Sequence, residues 1–191
     1  MRVFVAVALE AALRKTVAEL PRHLNSAAAA FRWVPTGNLH FTLKFLGEIA
    51  EERVARVIGA AREVAGRATP FPITLGGMGA FPSPKRPQVV WVGVAQGDDR
   101  LSELARDLDV TLSLVEFPKD SRPFRPHLTI ARAKQAGPMP DLSGPLRTLR
   151  GVVVGAQTVD ALLVMESTLN PGGSIYRPVE EVRLGDASQL T

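Results

Sequence analysis

The alternation of apolar and polar residues predicts short strands separated by helical stretches. Six segments are rich in Val, Ile, Leu and aromatic residues, as strands usually are. They lie at residues 2–8, 39–46, 71–75, 88–95, 127–132 and 159–166. A last extended piece is expected at residues 175–184.

Three other stretches repeat apolar residues every three or four positions, which predicts amphipathic helices. They cover residues 9–20, 54–64 and 101–112. Gly66 is expected to follow the end of the second helix, and Asp98 is expected to cap the start of the third. Core packing alone explains the apolar face of each helix.

Gly and Pro mark the connections between these elements. Loops are predicted at residues 76–84 and 137–145, and a tight turn at 171–173. No low-complexity linker divides the chain. Strands and helices joined by short loops favour an α+β fold with antiparallel sheets over a doubly wound parallel sheet.

Composition limits the class of protein. The 191 residues are 46% hydrophobic and 22% charged, which suits a globular chain with one substantial core or two small lobes. The absence of Cys excludes a disulfide framework, a thiolate zinc site and a Cys nucleophile, and favours the cytoplasm. The largely apolar segment at residues 1–9 is followed directly by Glu10. This segment is too short for a membrane span or a secretory signal.

A four-residue phrase occurs twice, at residues 40–43 (His-Phe-Thr-Leu) and 127–130 (His-Leu-Thr-Ile). Two of the three histidines in the chain open it. Because side chains alternate along a strand, His and Thr share one face and the apolar residues point to the other. The copies are 87 residues apart, near half the chain, which predicts two similar lobes meeting at one cleft.

Two histidines facing one cleft are suited to phosphoryl chemistry. A neutral imidazole can remove a proton from the attacking oxygen while a protonated one donates to the leaving oxygen. Thr hydroxyls can hydrogen-bond the phosphate oxygens. A metal site is disfavoured because neither copy has a nearby carboxylate and His23 lies in a segment expected at the surface. We therefore expect no metal and no cofactor.

Charged and aromatic residues near the repeated phrase suggest an anionic substrate. Three arginines bracket the second copy, and guanidinium groups match phosphate oxygens. Arg125 shares the face of His127 if the strand begins that early. Arg132 would point to the opposite face unless the strand twists or bulges, so spacing alone leaves its position ambiguous. Phe41 and Lys44 are assigned to the face opposite His40, Phe41 in the core and Lys44 exposed near the strand end.

The overall charge and the remaining aromatic residues point in the same direction. A formal net charge of +4 and a pI near 10.0 favour a polyanionic partner. Trp33 and Tyr176 could stack on a nucleobase, although such residues are more often found in the core.

Because the His-x-Thr motif occurs at both residues 40–42 and residues 127–129, the chain resembles the 2H phosphoesterase superfamily, which is named for two such motifs. It is most similar to the bacterial and archaeal RNA 2′,3′-cyclic phosphodiesterases, historically called 2′-5′ RNA ligases. The similarity extends over nearly the whole chain. It is carried by residues 1–6, 32–35, 38–47, 79–84, 122–132, 166–167 and 176.

The resemblance implies a fold and a reaction. The fold is α+β and bilobal, with two antiparallel sheets facing a central cleft and helices outside, formed by residues 1–191 as one domain. The reaction is metal-independent hydrolysis of a terminal RNA 2′,3′-cyclic phosphate to a 2′-phosphate. By analogy, His127 accepts the proton of water and His40 donates one to the departing 3′ oxygen, with Thr42 and Thr129 beside them.

The resemblance also implies a set of substrate contacts and leaves alternatives open. The expected contacts are Arg125, Arg132, Phe41 and Tyr176, although the strand position of Phe41 favours the core. The partner is RNA with a 2′,3′-cyclic phosphate end, bound by a cytoplasmic monomer that does not associate with membranes. The sequence leaves open swapped roles for the two histidines, a 2′-5′ RNA ligase that runs the same site in reverse, and a noncatalytic RNA-binding module.

Overall fold

A computed structural model describes residues 1–134, 139–170 and 173–185. The strands in this part of the chain are β1 (Arg2–Ala8), β2 (Phe31–Trp33), β3 (His40–Glu48), β4 (Phe71–Ser83), β5 (Arg86–Gln96), β6 (His127–Ala133), β7 (Val153–Val159), β8 (Ala161–Asn170) and β9 (Gly173–Arg183). The α-helices are α1 (Ala11–Ala18), α2 (Val54–Arg67), α3 (Asp98–Leu114) and α4 (Ser143–Thr148), and short 3₁₀ helices lie at Leu20–Ala30, Thr36–Asn38 and Glu51–Arg53.

The strands form two sheets in which neighbouring strands are antiparallel. One sheet has the order β3-β1-β8-β9 and the other β2-β6-β5-β4-β7. The first sheet therefore combines strands from both ends of the chain. The two copies of the His-x-Thr phrase lie on β3 and β6, one in each sheet, and these two strands contact each other. The α+β architecture with two antiparallel sheets is confirmed.

The apolar pattern of the sequence explains how the elements pack. The central residues of β1, Val3 to Val7, are all buried, as expected for a strand inside a sheet. The periodic residues of α2 and α3 are buried as well, including Val57, Val64, Leu101 and Leu108. Helix α2 packs on β8 and β9 of the first sheet and on α3. No helix in the described ranges is long and apolar enough to cross a membrane.

Some predicted boundaries are wrong. The predicted strand at residues 159–166 is two strands, because the chain leaves the second sheet at the end of β7 and enters the first sheet as β8. Gly66 lies inside α2, and Gly97, with a φ of +79°, precedes α3 where Asp98 was expected. Helix α4 begins inside the predicted loop at 137–145. The first two residues of that loop, 137 and 138, and residues 171 and 172 of the predicted turn lie outside the described residues.

The predicted loop at residues 76–84 is also wrong, because most of it continues strand β4. Its glycines permit close approaches instead of a turn. Gly77 has a φ of +68°, and a methyl group added there would lie 2.9 Å from the carbonyl oxygen of Arg150. Gly79 pairs with Trp91 on β5, and a methyl group there would lie 2.2 Å from the indole ring.

Gly79→Ala is therefore expected to lower the free energy of unfolding by about 1 to 3 kcal/mol, because the indole ring of Trp91 must move to admit the methyl group. Urea-induced unfolding followed by circular dichroism measures this. The matched control is Gly59→Ala on the exposed side of α2, where nothing lies within 4 Å of the added carbon. That control is expected to be stabilised by up to about 1 kcal/mol, since Ala favours helix. Equal stability of Gly79→Ala and the wild type would contradict the packing argument.

Candidate active site

Both His-x-Thr motifs open into one cavity. His40 and Thr42 on β3 and His127 and Thr129 on β6 line a cleft of about 280 Å³. The strand alternation explains this, since the intervening Phe41 and Leu128 are fully buried on the opposite faces. Two imidazoles and two hydroxyls from separate sheets thus surround a space of small-molecule size.

The two histidines are held in the same way. His40 Nδ1–H donates to the carbonyl oxygen of Asn38 at 2.7 Å, and His127 Nδ1–H donates to the carbonyl oxygen of Arg125 at 2.7 Å. A carbonyl only accepts, so each Nδ1 carries a proton and Nε2 is the atom free for chemistry. His40 Nε2 lies 3.0 Å from the Thr42 hydroxyl oxygen. The repeat of the phrase is thus also a repeat of side-chain orientation.

A bulge follows each motif at the same place. The pairing of β3 with β1 skips Leu43, and the pairing of β6 with β5 skips Ile130. An extra residue in a strand exchanges the faces of the residues after it. As a result Arg132 lies on the cleft face with His127, which resolves the ambiguity left by strand parity. Phe45 occupies the equivalent place after the first motif and lines the same cleft.

The first bulge also decides the position of Lys44. Simple alternation would put Lys44, four residues after His40, on the same face as His40, so its assignment to the opposite face did not follow from parity; the bulge nevertheless places it on that opposite face. Lys44 was also predicted to be exposed. That prediction is wrong, because Lys44 is only 2% exposed. Its Nζ donates to Asp109 of α3 at 2.5 Å and to the carbonyl oxygen of Pro118 at 2.8 Å, and lies 2.9 Å from Asp120. The ammonium group is therefore buried but fully partnered, and it joins the first motif strand to the segment that leads to the second.

Aromatic rings pack around His40. The ring centroids of Phe4 and Tyr176 lie 4.8 Å and 5.1 Å from that of His40. The resulting burial lowers the pKa of His40 below its ordinary value of 6.5, its hydrogen bond to the Asn38 carbonyl opposes this, and the positive charge of Arg132 lowers the pKa further. His40 is thus a stronger acid than a solvated imidazole.

Arg132→Met is expected to raise the pKa of His40, because the substitution removes a nearby positive charge that disfavours the imidazolium. The pKa should remain below 6.5 because the burial of the ring is retained. An NMR titration of the His40 ring signal measures both values. Arg106→Met, an exposed arginine on α3, is the matched control and should leave the titration unchanged. An identical His40 titration in wild type and Arg132→Met would show that Arg132 exerts no field on the ring.

The cleft has the charge that an anion requires. Arg2 and Arg132 both line it, and the guanidinium carbon of Arg2 lies 4.9 Å from the centre of the Phe45 ring. Among the residues that the structure describes, no Asp or Glu lines this cavity. Two cations, two hydroxyls and two imidazoles can together hold and protonate a phosphate group.

Other expected contacts are only partly found at the cleft. Tyr176 lines it, but Phe41 is 0% exposed and lies in the core, so its assignment as a substrate contact is wrong. The reason is the strand alternation that already favoured the core. Arg125 lies outside the cleft and lines a neighbouring groove. Trp33 donates its indole N–H to the carbonyl oxygen of Ala28 and packs on Phe31, so it serves the structure.

Several cleft residues were missed by the sequence reasoning. Arg2, Phe4 and Ser174 come from strands β1 and β9, far from either motif in sequence. The sequence did indicate a cleft position for Phe45, since it stands five residues after His40, as Arg132 stands five residues after His127. His23 is exposed, as predicted. Within residues 1–134, 139–170 and 173–185, no group of three or more His, Cys, Asp or Glu side chains could hold a metal ion.

Comparison with known proteins agrees with this duplicated site. The family model described as LigT like Phosphoesterase matches the chain twice, at residues 7–91 and 92–176. An RNA 2′,3′-cyclic phosphodiesterase of Methanothermobacter thermautotrophicus is 36% identical over 96% of this chain and 99% of its own length. A protein of the same name from Aquifex aeolicus is 39% identical over 81% of this chain and 82% of its own length.

Solved structures show the same fold. A crystal structure of a Thermus thermophilus protein has a TM-score of 0.80 and 29% identity, covering 97% of this chain and 98% of that one. Escherichia coli LigT complexed with 3′-AMP has a TM-score of 0.76 and 29% identity, covering 96% and 97%. The double match confirms the internal duplication predicted from the repeated phrase. Together with the shared cleft, it shows that this chain belongs to the LigT-like phosphoesterase family.

Proposed function

We propose that this protein hydrolyses a terminal RNA 2′,3′-cyclic phosphate to a 2′-phosphate, with the two histidines as acid and base and without a metal ion. The observation that carries the proposal is the pair of imidazoles in one cationic cleft, each with its Nδ1–H bound to a backbone carbonyl. This leaves two Nε2 atoms for proton transfer. Such a pair supplies both protonation states that in-line displacement at phosphorus needs.

His127 is assigned as the base. With Nδ1 protonated, a neutral His127 has a lone pair on Nε2, which accepts a proton from water as the water oxygen attacks phosphorus. The bond from phosphorus to the water oxygen forms while the bond to the 3′ oxygen breaks. The attacking oxygen and the 3′ oxygen then lie on opposite sides of phosphorus.

His40 is assigned as the acid. In its protonated form Nδ1–H donates to Asn38 and Nε2–H is available for the departing 3′ oxygen. The lowered pKa of His40 makes proton donation easier, at the cost of a smaller protonated fraction near neutrality. Thr42, close to Nε2, is placed to share in orienting that proton or a phosphate oxygen.

The remaining cleft residues are assigned to the charge of the phosphate. Thr42 and Thr129 donate hydroxyl hydrogen bonds to the nonbridging oxygens, and the guanidinium of Arg132 balances the negative charge that builds up during attack. Tyr176 lines the side of the cleft that holds His40, where the terminal ribose carries the leaving oxygen. Its aromatic ring is suited to contact with the nucleoside.

The relatives support the choice of substrate. Those from Methanothermobacter thermautotrophicus and Aquifex aeolicus bear the name RNA 2′,3′-cyclic phosphodiesterase, and the LigT structure contains a nucleotide with a 3′-phosphate. We extend that RNA substrate to this chain because its cleft combines phosphate-binding groups with an aromatic wall. The expected setting, a monomer in the cytoplasm, stays a prediction from the sequence.

The direct test uses RNA with a labelled terminal nucleotide that ends in a 2′,3′-cyclic phosphate, and resolves the products. A 2′-phosphate is expected, and its rate should be unchanged by EDTA. A 3′-phosphate would mean that the 2′ oxygen leaves, which would overturn the proposed geometry. Turnover that EDTA abolishes and one divalent metal restores would overturn the metal-independent mechanism.

A further inference from the structure

One cation of the catalytic cleft has no part in the proposed reaction. Arg2 of β1 lines the cleft, whereas the charge of the reacting phosphate is assigned to Arg132. The positive charge of Arg132 lowers the pKa of His40 and that of Arg2 does not contribute, which agrees with a larger distance between Arg2 and the acid. Arg2 therefore faces a part of the cleft beyond the reacting atoms.

Among the residues that the structure describes, Arg2 has no carboxylate partner, unlike the other arginines of its sheet. On β9, Arg177 Nη2 lies 3.1 Å from a carboxylate oxygen of Glu166, and Arg183 Nη1 lies 2.6 Å from one of Asp160. Those two side chains are neutralised by the protein itself. A guanidinium group that faces a cleft without such a partner is available to an anion from outside.

Strand pairing places Arg2 in a row with a hydroxyl group and an aromatic ring. Val3 of β1 pairs with Glu166 of β8, and continuing this antiparallel register puts Ser167 opposite Arg2. Ser167 in turn pairs with Tyr176 of β9. Residues directly opposite on neighbouring strands share a face, and all three members of the row line the cleft. The row runs from the aromatic ring assigned to the terminal nucleoside to the cation.

The next negative charge of an RNA chain fits this row. A terminal nucleotide carries the cyclic phosphate on its 2′ and 3′ oxygens, and its 5′ oxygen carries the phosphodiester that joins it to the preceding nucleotide. With the cyclic phosphate between the two histidines and the nucleoside against Tyr176, the 5′ oxygen leads on along the same sheet. Guanidinium and hydroxyl groups both donate hydrogen bonds to phosphate oxygens.

We propose that Arg2 and Ser167 form a subsite for the phosphodiester on the 5′ side of the terminal nucleotide, an inference that rests on the proposed function. The subsite favours an RNA chain of two or more nucleotides, since a nucleoside 2′,3′-cyclic phosphate has only a hydroxyl group at that position. Arg2 thereby selects RNA ends over cyclic mononucleotides. Phosphate contacts carry no base information, so this selection does not depend on the RNA sequence.

The test compares two dinucleotides that differ in one charge. Both begin with 2′-deoxyadenosine and end in adenosine 2′,3′-cyclic phosphate, but one has a phosphodiester linkage and the other an uncharged methylphosphonate. The wild type is expected to hydrolyse the charged dinucleotide with a kcat/KM about tenfold higher, the scale of one charge-assisted hydrogen bond. Arg2→Met should reduce this preference to about twofold or less, because the group that distinguishes the two linkages is gone.

Two further variants show whether the effect belongs to the charge of Arg2. Arg2→Lys retains a cation without the guanidinium fork and should keep part of the preference. Arg177→Met is the matched control, since Arg177 lies on the same sheet but not in the cleft, and it should keep the full preference.

The outcomes separate this inference from the proposed function. Wild-type protein that hydrolyses neither dinucleotide nor adenosine 2′,3′-cyclic phosphate would overturn both. Hydrolysis without a preference for the charged linkage, or a preference that Arg2→Met retains, would overturn only the subsite.

Binding of reaction products gives a readout that does not depend on turnover. Calorimetry compares adenosine 2′-phosphate with adenosine 2′,5′-bisphosphate, which adds a phosphate at the proposed position. The added phosphate is expected to tighten binding to the wild type by about tenfold and binding to Arg2→Met by much less. An equal gain in the two proteins would count against the subsite.

Discussion

Replacing His40 or His127 with alanine is expected to lower kcat for hydrolysis of an RNA 2′,3′-cyclic phosphate by about 10² to 10⁴, the usual contribution of a general acid or base. In the proposed mechanism each substitution removes the Nε2 on one side of the phosphorus, and it leaves Thr42, Thr129 and Arg132, the residues assigned to the phosphate, in the cleft. KM should therefore change much less than kcat. Steady-state kinetics with the labelled RNA measure both.

His23→Ala is the matched control, since His23 is exposed on the 3₁₀ helix Leu20–Ala30 and lies outside the cleft. It should retain wild-type rates. The double variant of His40 and His127 is expected to lose little more than the worse single variant, because acid and base act in one transition state. Near-normal turnover by either single variant would refute the acid-base assignment and favour a noncatalytic role in RNA binding.

The two roles can be distinguished with a substrate that has a good leaving group. A nitrophenyl phosphodiester needs little protonation of its departing oxygen, so loss of the acid should cost less with this substrate than with RNA. His40→Ala is expected to recover much of its deficit, whereas His127→Ala is not. The opposite pattern would show that the roles are exchanged.

The sequence predicted the parts of the molecule that follow a local period. The apolar run of β1, the alternation in β3 and β6 and the helical spacing in α2 and α3 identified these elements close to their observed bounds. The same alternation put His and Thr of each motif on one face, and the repeat predicted the duplication. These features depend on residues that are close together in the sequence, so the sequence pattern predicts them.

The parts that were missed depend on strand pairing. The bulges at Leu43 and Ile130 arise from how β3 and β6 pair with their neighbours, and they exchange the faces of Lys44 and Arg132. The glycines of β4 looked like a loop in the sequence. The reason for a glycine at position 79 is the indole ring of Trp91 on the neighbouring strand, and the sequence does not show that contact. A comparison of the two copies offers one clue that Lys44 is buried. Ala131, a small apolar residue, stands four residues after the second histidine, as Lys44 stands four residues after the first.

Asp109→Ala is expected to destabilise the protein by about 3 kcal/mol, because it removes one partner of the buried ammonium group of Lys44. Lys44 has three N–H donors and meets Asp109, Asp120 and the Pro118 carbonyl, so each donor has an oxygen. Asp120 remains in the variant, which places the expected loss at the lower end for a broken buried pair. Urea-induced unfolding measures the change.

Lys44→Met is expected to lower the free energy of unfolding by less than Asp109→Ala does. A count of lost contacts would give the opposite order, because Lys44→Met removes all three oxygen contacts of the ammonium group and Asp109→Ala removes one of them. Methionine fills much of the same volume without a charge, and the carboxylate of Asp109, 21% exposed, regains water. The double variant should resemble Lys44→Met alone, since the buried charge that penalises Asp109→Ala is gone. Arg106→Ala, which breaks an exposed pair with Glu103, is the control and should change the stability by less than about 1 kcal/mol. If Lys44→Met proved the more destabilising of the two, the loss would come from the attraction between the charges and not from an unpaired ammonium group, and the explanation offered for this buried lysine would be wrong.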